Sequence, residues 1–127
     1  LAFAYARATV PRICVTLRKS YGGAYIVMDS RYMGNDLMLA WPTAEIAVMG
    51  AKGAVEILHR NADPEERAEL ESAYEDRLLN PYMAAERGSV DRVIDPADTR
   101  SELVSALELL AGKRERIPRR RHDNSPL

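Results

Sequence analysis

Between residues 12 and 50 the apolar content falls into short runs, and that brevity constrains the fold more than any other feature. "ICVTL", "LMLAW" and "AEIAVMG" each meet a glycine, a proline or a polar turn before a helix of useful length can form. Within residues 12–20, Ile13, Cys14, Val15 and Leu17 read as one strand buried on both faces, because its apolar residues are contiguous. A second strand covers Leu37–Trp41 and stops at Pro42; a third covers Ala44–Gly50. Between the first two lies "KSYGGAYIVM", a glycine turn followed by a helix from Gly23 to about Ser30. Strand, glycine turn and helix in that order is the arrangement found around a parallel sheet, so the chain is predicted to be α/β rather than a helical bundle.

The flanking segments are helical. "LAFAYARATVP" carries Leu1, Tyr5 and Ala8 at helical spacing and ends at Pro11. It begins without a methionine and without a cap, so the chain reads as the C-terminal part of something longer. "DSRYMGND" is a loop turning at Gly34-Asn35, and "AKGAVEILHR" is a helix ended by Asn61. Asp63 caps the next helix, with Pro64 in its first turn and Glu65 and Glu66 near the positive end of its dipole; it stops at Asn80-Pro81. "PYMAAERG" is a short helix closed by Gly88, and "SVDRVID" is a short extended segment. The last helix lies in "DPADTRSELVSALELLAGK", with a capping box of Thr99 and Glu102, an apolar stripe of Leu103, Leu107 and Leu110, and Gly112 as C-cap. Residues 113–127 form a basic tail. No sequence repeat and no low-complexity linker divides the chain, so residues 1–127 read as one unit.

The totals exclude several function classes. A chain of 127 residues has room for one core, and a net charge of −1 gives no global steering toward nucleic acid. Cys14 is the single cysteine, which rules out an internal disulfide framework and fits a reducing compartment, the cytoplasm. No apolar run approaches the ~20 residues of a membrane span. No spacing of His, Cys, Asp or Glu suits a metal.

The candidate site is the bare backbone of Gly22, Gly23 and Ala24, set between Tyr21 and Tyr25. One reading is a strand-to-helix turn that needs positive φ or close packing. The other is a set of consecutive main-chain N–H groups open to a developing oxyanion, which requires small residues so that a ligand can reach the backbone. Neither a Walker sequence nor G-x-G-x-x-G is present, which disfavours phosphate or dinucleotide binding. Tyr21 and Tyr25 read as packing aromatics. Cys14 reads as a buried thiol, and His59 as an imidazole suited to a helix C-terminus. Glu65, Glu66, Glu69 and Glu71 read as a solvated helix face. His122 has no partner in sequence, and Arg119, Arg120 and Arg121 have no interleaved aromatic for stacking on bases.

"ARATVPRICVTLRKSYGGAYIVM", "AWPTAEIAVMGAKGAVEIL" and the closing "RHDNSPL" together resemble the C-terminal part of the β subunit of biotin-dependent acyl-CoA carboxylases, the carboxyltransferase. The resemblance runs in order along nearly the whole chain; Asp123 and Ser125 depart from the family's usual ending, and Leu127 is read as its C-terminus. It implies a crotonase-like (ClpP-type) spiral of ββα units, of which this is a partial C-terminal carboxyltransferase domain without the N-terminal domain.

The activity implied is transfer of the carboxyl group from carboxybiotin to a short-chain acyl-CoA, acetyl-CoA or propionyl-CoA, giving malonyl- or methylmalonyl-CoA. Biotin on a carrier domain and a coenzyme A thioester are the implied cofactor and substrate. A biotin carboxylase and carrier α subunit and a hexamer of β subunits are the implied partners, with no nucleic acid, membrane or metal. The family's biotin oxyanion hole matches the main-chain N–H groups of Gly23 and Ala24, with Gly22 and Tyr25 beside them. Ile26 matches a position lining the acyl pocket, where propionyl-preferring members carry an acid; an apolar residue there implies acetyl or broader acyl preference. In such chemistry biotin's own ureido nitrogen removes the α-proton, so no protein base is required. Two rivals stand beside this reading. One is another acyl-CoA enzyme of the same fold, a hydratase or isomerase using Asp29 or Glu45, or a biotin-dependent decarboxylase. The other is a non-catalytic oligomerisation or binding piece that uses the basic tail.

Overall fold

A computed structural model of the chain describes residues 1–116. Helix α1 (Ala2–Arg7) leads into strands β1 (Ile13–Thr16) and β2 (Lys19–Tyr21), then helix α2 (Gly22–Val27). Strands β3 (Leu37–Ala40) and β4 (Glu45–Ala47) and helix α3 (Ala51–Leu58) follow in the same order. The chain therefore runs through ββα twice. Equivalent strands stack: β1 pairs in parallel with β3, Ile13 opposite Leu37, and β2 pairs in parallel with β4, Lys19 opposite Glu45. Parallel neighbours need a long crossover, which α2 and its loop supply between the two layers. After helices α4 (Pro64–Leu78) and α5 (Pro81–Glu86), strand β5 (Arg92–Val93) adds to β3 and begins a third layer; α6 (Thr99–Leu110) follows. The backbone thus repeats as a spiral of ββα units where the sequence shows no repeat.

The single strand expected over residues 12–20 is two strands in two sheets, ordered β1-β3-β5 and β2-β4. The corner falls at exposed Leu17 and Arg18. There the Thr16 carbonyl accepts from the Trp41 amide (3.0 Å) and the Arg18 carbonyl from the Glu45 amide (2.7 Å), so backbone groups stay paired across the bend. Two-sided burial belongs to central β3, where Met38, Leu39 and Ala40 are 0% exposed; edge strand β1 is only half-buried apart from Thr16. Tyr25, Met38, Ala40, Ala44, Ile46, Ala84 and Val90 form the core between the sheets and the helices.

Helix α2 ends at Val27 rather than near Ser30, because Asp29 takes a left-handed φ of 63°. The turn at Gly34 and the stop at Gly88 fall where the sequence places them, at φ 75° and 73°. Asp63 caps α4 as expected, its carboxylate accepting from the Glu65 and Glu66 amides at 3.0 and 2.9 Å.

The reading of α6 needs three corrections. The capping box does not form: the Thr99 hydroxyl accepts from Trp41 Nε1 (2.8 Å) and donates to the Pro96 carbonyl (2.8 Å), while Glu102 pairs with Arg92. Leu107 is 52% exposed, and Ala106 fills the buried position of the stripe. The C-cap is Ala111 in right-handed helical conformation, and Gly112 has no positive φ. The remainder of the basic tail, including Arg119, Arg120, Arg121 and His122, lies outside the described residues.

Candidate functional site

Strand β2 delivers the chain to the site and one glycine redirects it. Gly22 has φ +62°, and a Cβ there would stand 3.2 Å from the Val48 carbonyl oxygen. Both facts require glycine for folding alone. Gly23 is different: it is exposed, its φ is not positive, and a Cβ would meet nothing within 4 Å. The fold of these residues gives no reason for glycine at that position. Ala24 beside it is also exposed. These three residues open α2, whose first N–H groups have no partner within a helix, and no side chain caps them. The sequence's two readings of the stretch therefore divide, with Gly22 serving the turn and the small surface of Gly23 and Ala24 remaining for a ligand.

Tyr25 points the other way, into the core, and is 9% exposed. Its hydroxyl has no hydrogen-bond partner among the described residues. Burial, with smaller contributions from Tyr32 and Cys14, pushes its pKa up to about 12, so it stays protonated at any physiological pH. Its ring meets that of Tyr32 edge-on at 6.4 Å.

Ile26, the next residue, is 41% exposed and faces a cavity of about 230 Å³. Gly22 and Tyr25 also line this cavity, with Ile46 and Val48 from β4 and its flank and Met83 from α5. A second cavity of about 360 Å³ lies on the Ala24 side, lined by Cys14, Tyr21 and Met28. Tyr25 walls both. The cavities join residues far apart in the chain; no local spacing announces that Tyr32, Val48, Met83 or Ser89 stand beside Ile26, and sequence reading missed them.

The nearby acids are already engaged. Asp29 is buried and accepts from the Arg12 guanidinium at 2.7 Å. Burial raises its pKa and outweighs the lowering by Arg12. Glu45 accepts from the Tyr21 hydroxyl and lies 3.7 Å from Lys19. Burial first, then the hydrogen bond to Glu45, pushes the Tyr21 phenol up to about 12. Cys14 is half-buried rather than enclosed; burial and then the charge of Asp29 raise its pKa, which leaves an unreactive thiol. His59 sits exposed at the end of α3, and Glu65, Glu66 and Glu69 lie on the exposed face of α4, with Glu71 half-buried. Among the described residues no cluster of His, Cys, Asp and Glu could hold a metal ion, and no helix is long and apolar enough to cross a membrane.

A family model described as the carboxyl transferase domain matches residues 1–125. The propionyl-CoA carboxylase beta chain of Saccharopolyspora erythraea is 54% identical over 137 residues, covering 100% of this chain and 25% of that protein. The biotin-dependent acetyl-/propionyl-coenzyme A carboxylase beta5 subunit of Mycobacterium leprae is 53% identical over 138 residues, with the same two coverages, 100% and 25%. Among solved structures, the transcarboxylase 12S hexamer with methylmalonyl-coenzyme A and methylmalonic acid bound superposes at a TM-score of 0.91. It is 51% identical and covers 97% of this chain and 24% of its own. The chain thus spans about a quarter of the length of these relatives, and the ββα spiral is the crotonase-like α/β fold that the resemblance implies.

Proposed function

Because the chain belongs to the carboxyl transferase domain family, we propose that it is part of an enzyme that moves a carboxyl group from carboxybiotin to a short-chain acyl-CoA. Its own contribution is the biotin half-site. One observation carries this: Gly23 is glycine with no demand from φ or from packing among the described residues. Its missing side chain leaves the amides of Gly23 and Ala24 open on the surface, a shape into which the ureido edge of biotin fits.

In this reading the amides of Gly23 and Ala24 donate to the ureido oxygen and hold the charge that develops there. Losing one such donor costs roughly 3–4 kcal/mol of transition-state stabilisation in comparable sites. Gly22 sets the direction of the two amides, and Tyr25 anchors them by burying its ring beneath the same turn. When bound, carboxylated biotin supplies the carboxyl group and then the base, so the protein's task is charge stabilisation and alignment. Ile26 lines the acyl pocket. A biotin carboxylase and carrier subunit delivers the cofactor, copies of the full-length subunit form a hexamer, and an unpaired Cys14 suits the cytoplasm. A hydratase or isomerase of this fold would use a free carboxylate, and the two nearest, Asp29 and Glu45, are bound to Arg12 and to Tyr21.

The test is Gly23→Val in the full-length subunit. Open space at the Cβ position means that unfolding temperature should hold, while carboxyl transfer from carboxybiotin should fall about 100-fold or more. Unchanged transfer by a normally folded variant would remove Gly23 from the site.

A further inference from the structure

Two glycines in succession are the least constrained pair a chain can carry, so the amides of Gly23 and Ala24 keep one direction only if the chain is held on both sides of them. Downstream, the buried ring of Tyr25 holds it in the core. Upstream, the residue in place is Tyr21, the last of β2 and the one from which α2 starts. Backbone alone gives Tyr21 little support, because β2 is three residues long and shares its sheet with β4 only. The Tyr21 side chain adds three contacts. Its ring lies against the backbone of Gly50, where a Cβ would stand 3.5 Å from Cε2. Its hydroxyl donates to Glu45 Oε2 on β4. Lys19 Nζ stands 3.7 Å from that same oxygen and 5.8 Å from the centre of the ring. Phenylalanine would make the ring contact equally well, so packing accounts for the ring and leaves the hydroxyl unexplained. The side chains of Glu45 and Lys19 are 35% and 54% exposed, so the tether between hydroxyl and carboxylate adds little to stability. What it fixes is the direction of the ring, and with it the residue that leads into Gly22.

From these contacts we infer that Tyr21 and Glu45 are positioning residues for carboxyl transfer: the hydrogen bond between them holds the start of α2 so that the amides of Gly23 and Ala24 stay aimed at the ureido oxygen of biotin. This rests on the biotin half-site proposed above and adds to it two side chains that act through the backbone. Neither gives or takes a proton in the reaction. Burial first, and then Glu45, push the Tyr21 phenol up to about 12, so it remains the donor at neutral pH. A misplacement of ~1 Å in a reacting site costs on the order of 100-fold in rate, so a tether with little weight in stability has weight in turnover.

The experiment measures carboxyl transfer from carboxybiotin to propionyl-CoA by the holoenzyme carrying Tyr21→Phe, Glu45→Leu, the two together, or Glu45→Gln. Tyr21→Phe keeps the ring on Gly50 and should lower kcat about tenfold or more, with KM for propionyl-CoA and the melting temperature close to wild type. Glu45→Leu should match it. The double variant should be no slower than either single one, because both substitutions remove the same hydrogen bond. Glu45→Gln keeps an acceptor oxygen for the hydroxyl and should bring kcat back to within about threefold of wild type. A Tyr21→Phe enzyme with wild-type kcat, or losses that multiply in the double variant, overturns the inference. So does a loss of activity that only follows the loss of folded protein. Should Tyr21→Phe not fold, the contrast between Glu45→Leu and Glu45→Gln decides it. Gly23→Val separates this inference from the reading beneath it. Intact transfer in a folded Gly23→Val enzyme overturns the half-site and this inference with it; lost transfer there, beside full activity in Tyr21→Phe, overturns this inference alone.

Discussion

Asp29 concentrates more of the local structure than any other side chain near the site. It carries a left-handed φ of 63°, which a non-glycine residue adopts only when its surroundings hold it. They do: its carboxylate takes Arg12 at 2.7 Å, and its carbonyl accepts from Asn35 Nδ2 at 2.9 Å. Arg12 in turn donates to the carbonyls of Met33 and Gly34, so one guanidinium fixes the end of α2 and the turn that leads to β3. Removing one member leaves the other charge buried without compensation. Asp29→Ala should therefore lower stability by about 3–5 kcal/mol, read from urea unfolding. Asp29→Asn should cost less, because asparagine tolerates the same φ and still accepts a hydrogen bond. Equal losses in the two variants would show that the carboxylate charge alone, and neither the hydrogen bond nor tolerance of the left-handed φ, is what holds this turn.

At the level of elements, α2 owes its start to Gly22. An alanine there would meet both the unfavourable φ of +62° and the Val48 carbonyl at 3.2 Å. Gly22→Ala should cost about 1–2 kcal/mol from backbone conformation alone, whereas Gly23→Val should leave stability near the wild-type value. Thermal unfolding of the two variants side by side checks the contrast, and equal melting temperatures would erase the distinction between a turn glycine and a site glycine. That distinction was invisible in "YGGAY", where both glycines look alike; the left-handed φ of Gly22 and its approach to the Val48 carbonyl separate them. The parallel α/β order was legible, since breaks at Gly22, Pro42 and Gly50 force short elements. So were the caps at Asp63 and Gly88, which act within one turn of chain. The division of β1 from β2 was hidden because the corner at Leu17-Arg18 contains neither glycine nor proline. It is imposed by carbonyl pairing with Trp41 and Glu45 in the next layer. Thr99 was misread as half of a capping box for a similar reason: Trp41, distant in sequence, takes its hydroxyl. The family motifs located the candidate site, and the cavity beside Ile26 became visible only with α5 in place.

Across the whole molecule, the spiral's first turn and the segment after α6 are fastened by one polar cluster. Lys113 donates to Asp36 at 2.9 Å and to the Val10 carbonyl at 3.2 Å, reaching back to the loop before β1. Asp36 also accepts from the Arg12 amide at 2.7 Å, which joins this contact to the buried Arg12–Asp29 pair. Burial raises the Asp36 pKa, but the hydrogen bond from Lys113 and the Arg12 amide outweigh it and leave it lowered. The Lys113 pKa is raised, first by the hydrogen bond to Asp36. The signs define a window. The Asp36 contribution is present above the ordinary carboxylate pKa of about 3.9 and is lost as pH falls through its lower folded value. The Lys113 contribution is present below about 10.4 and is lost as pH rises through its higher folded value. Lys113→Met should thus lower stability by about 1 kcal/mol between pH 5 and 9, with the difference from wild type shrinking in acid and in strong alkali. Unfolding measured across that range checks it; a difference that did not change with pH would assign the loss to packing of the lysine stem. Because Asp36 and Arg12 are also tied to Asp29 at the end of α2, loosening them should increase amide exchange at Met28 and Ser30, whose N–H groups close that end of the helix on the carbonyls of Ala24 and Ile26.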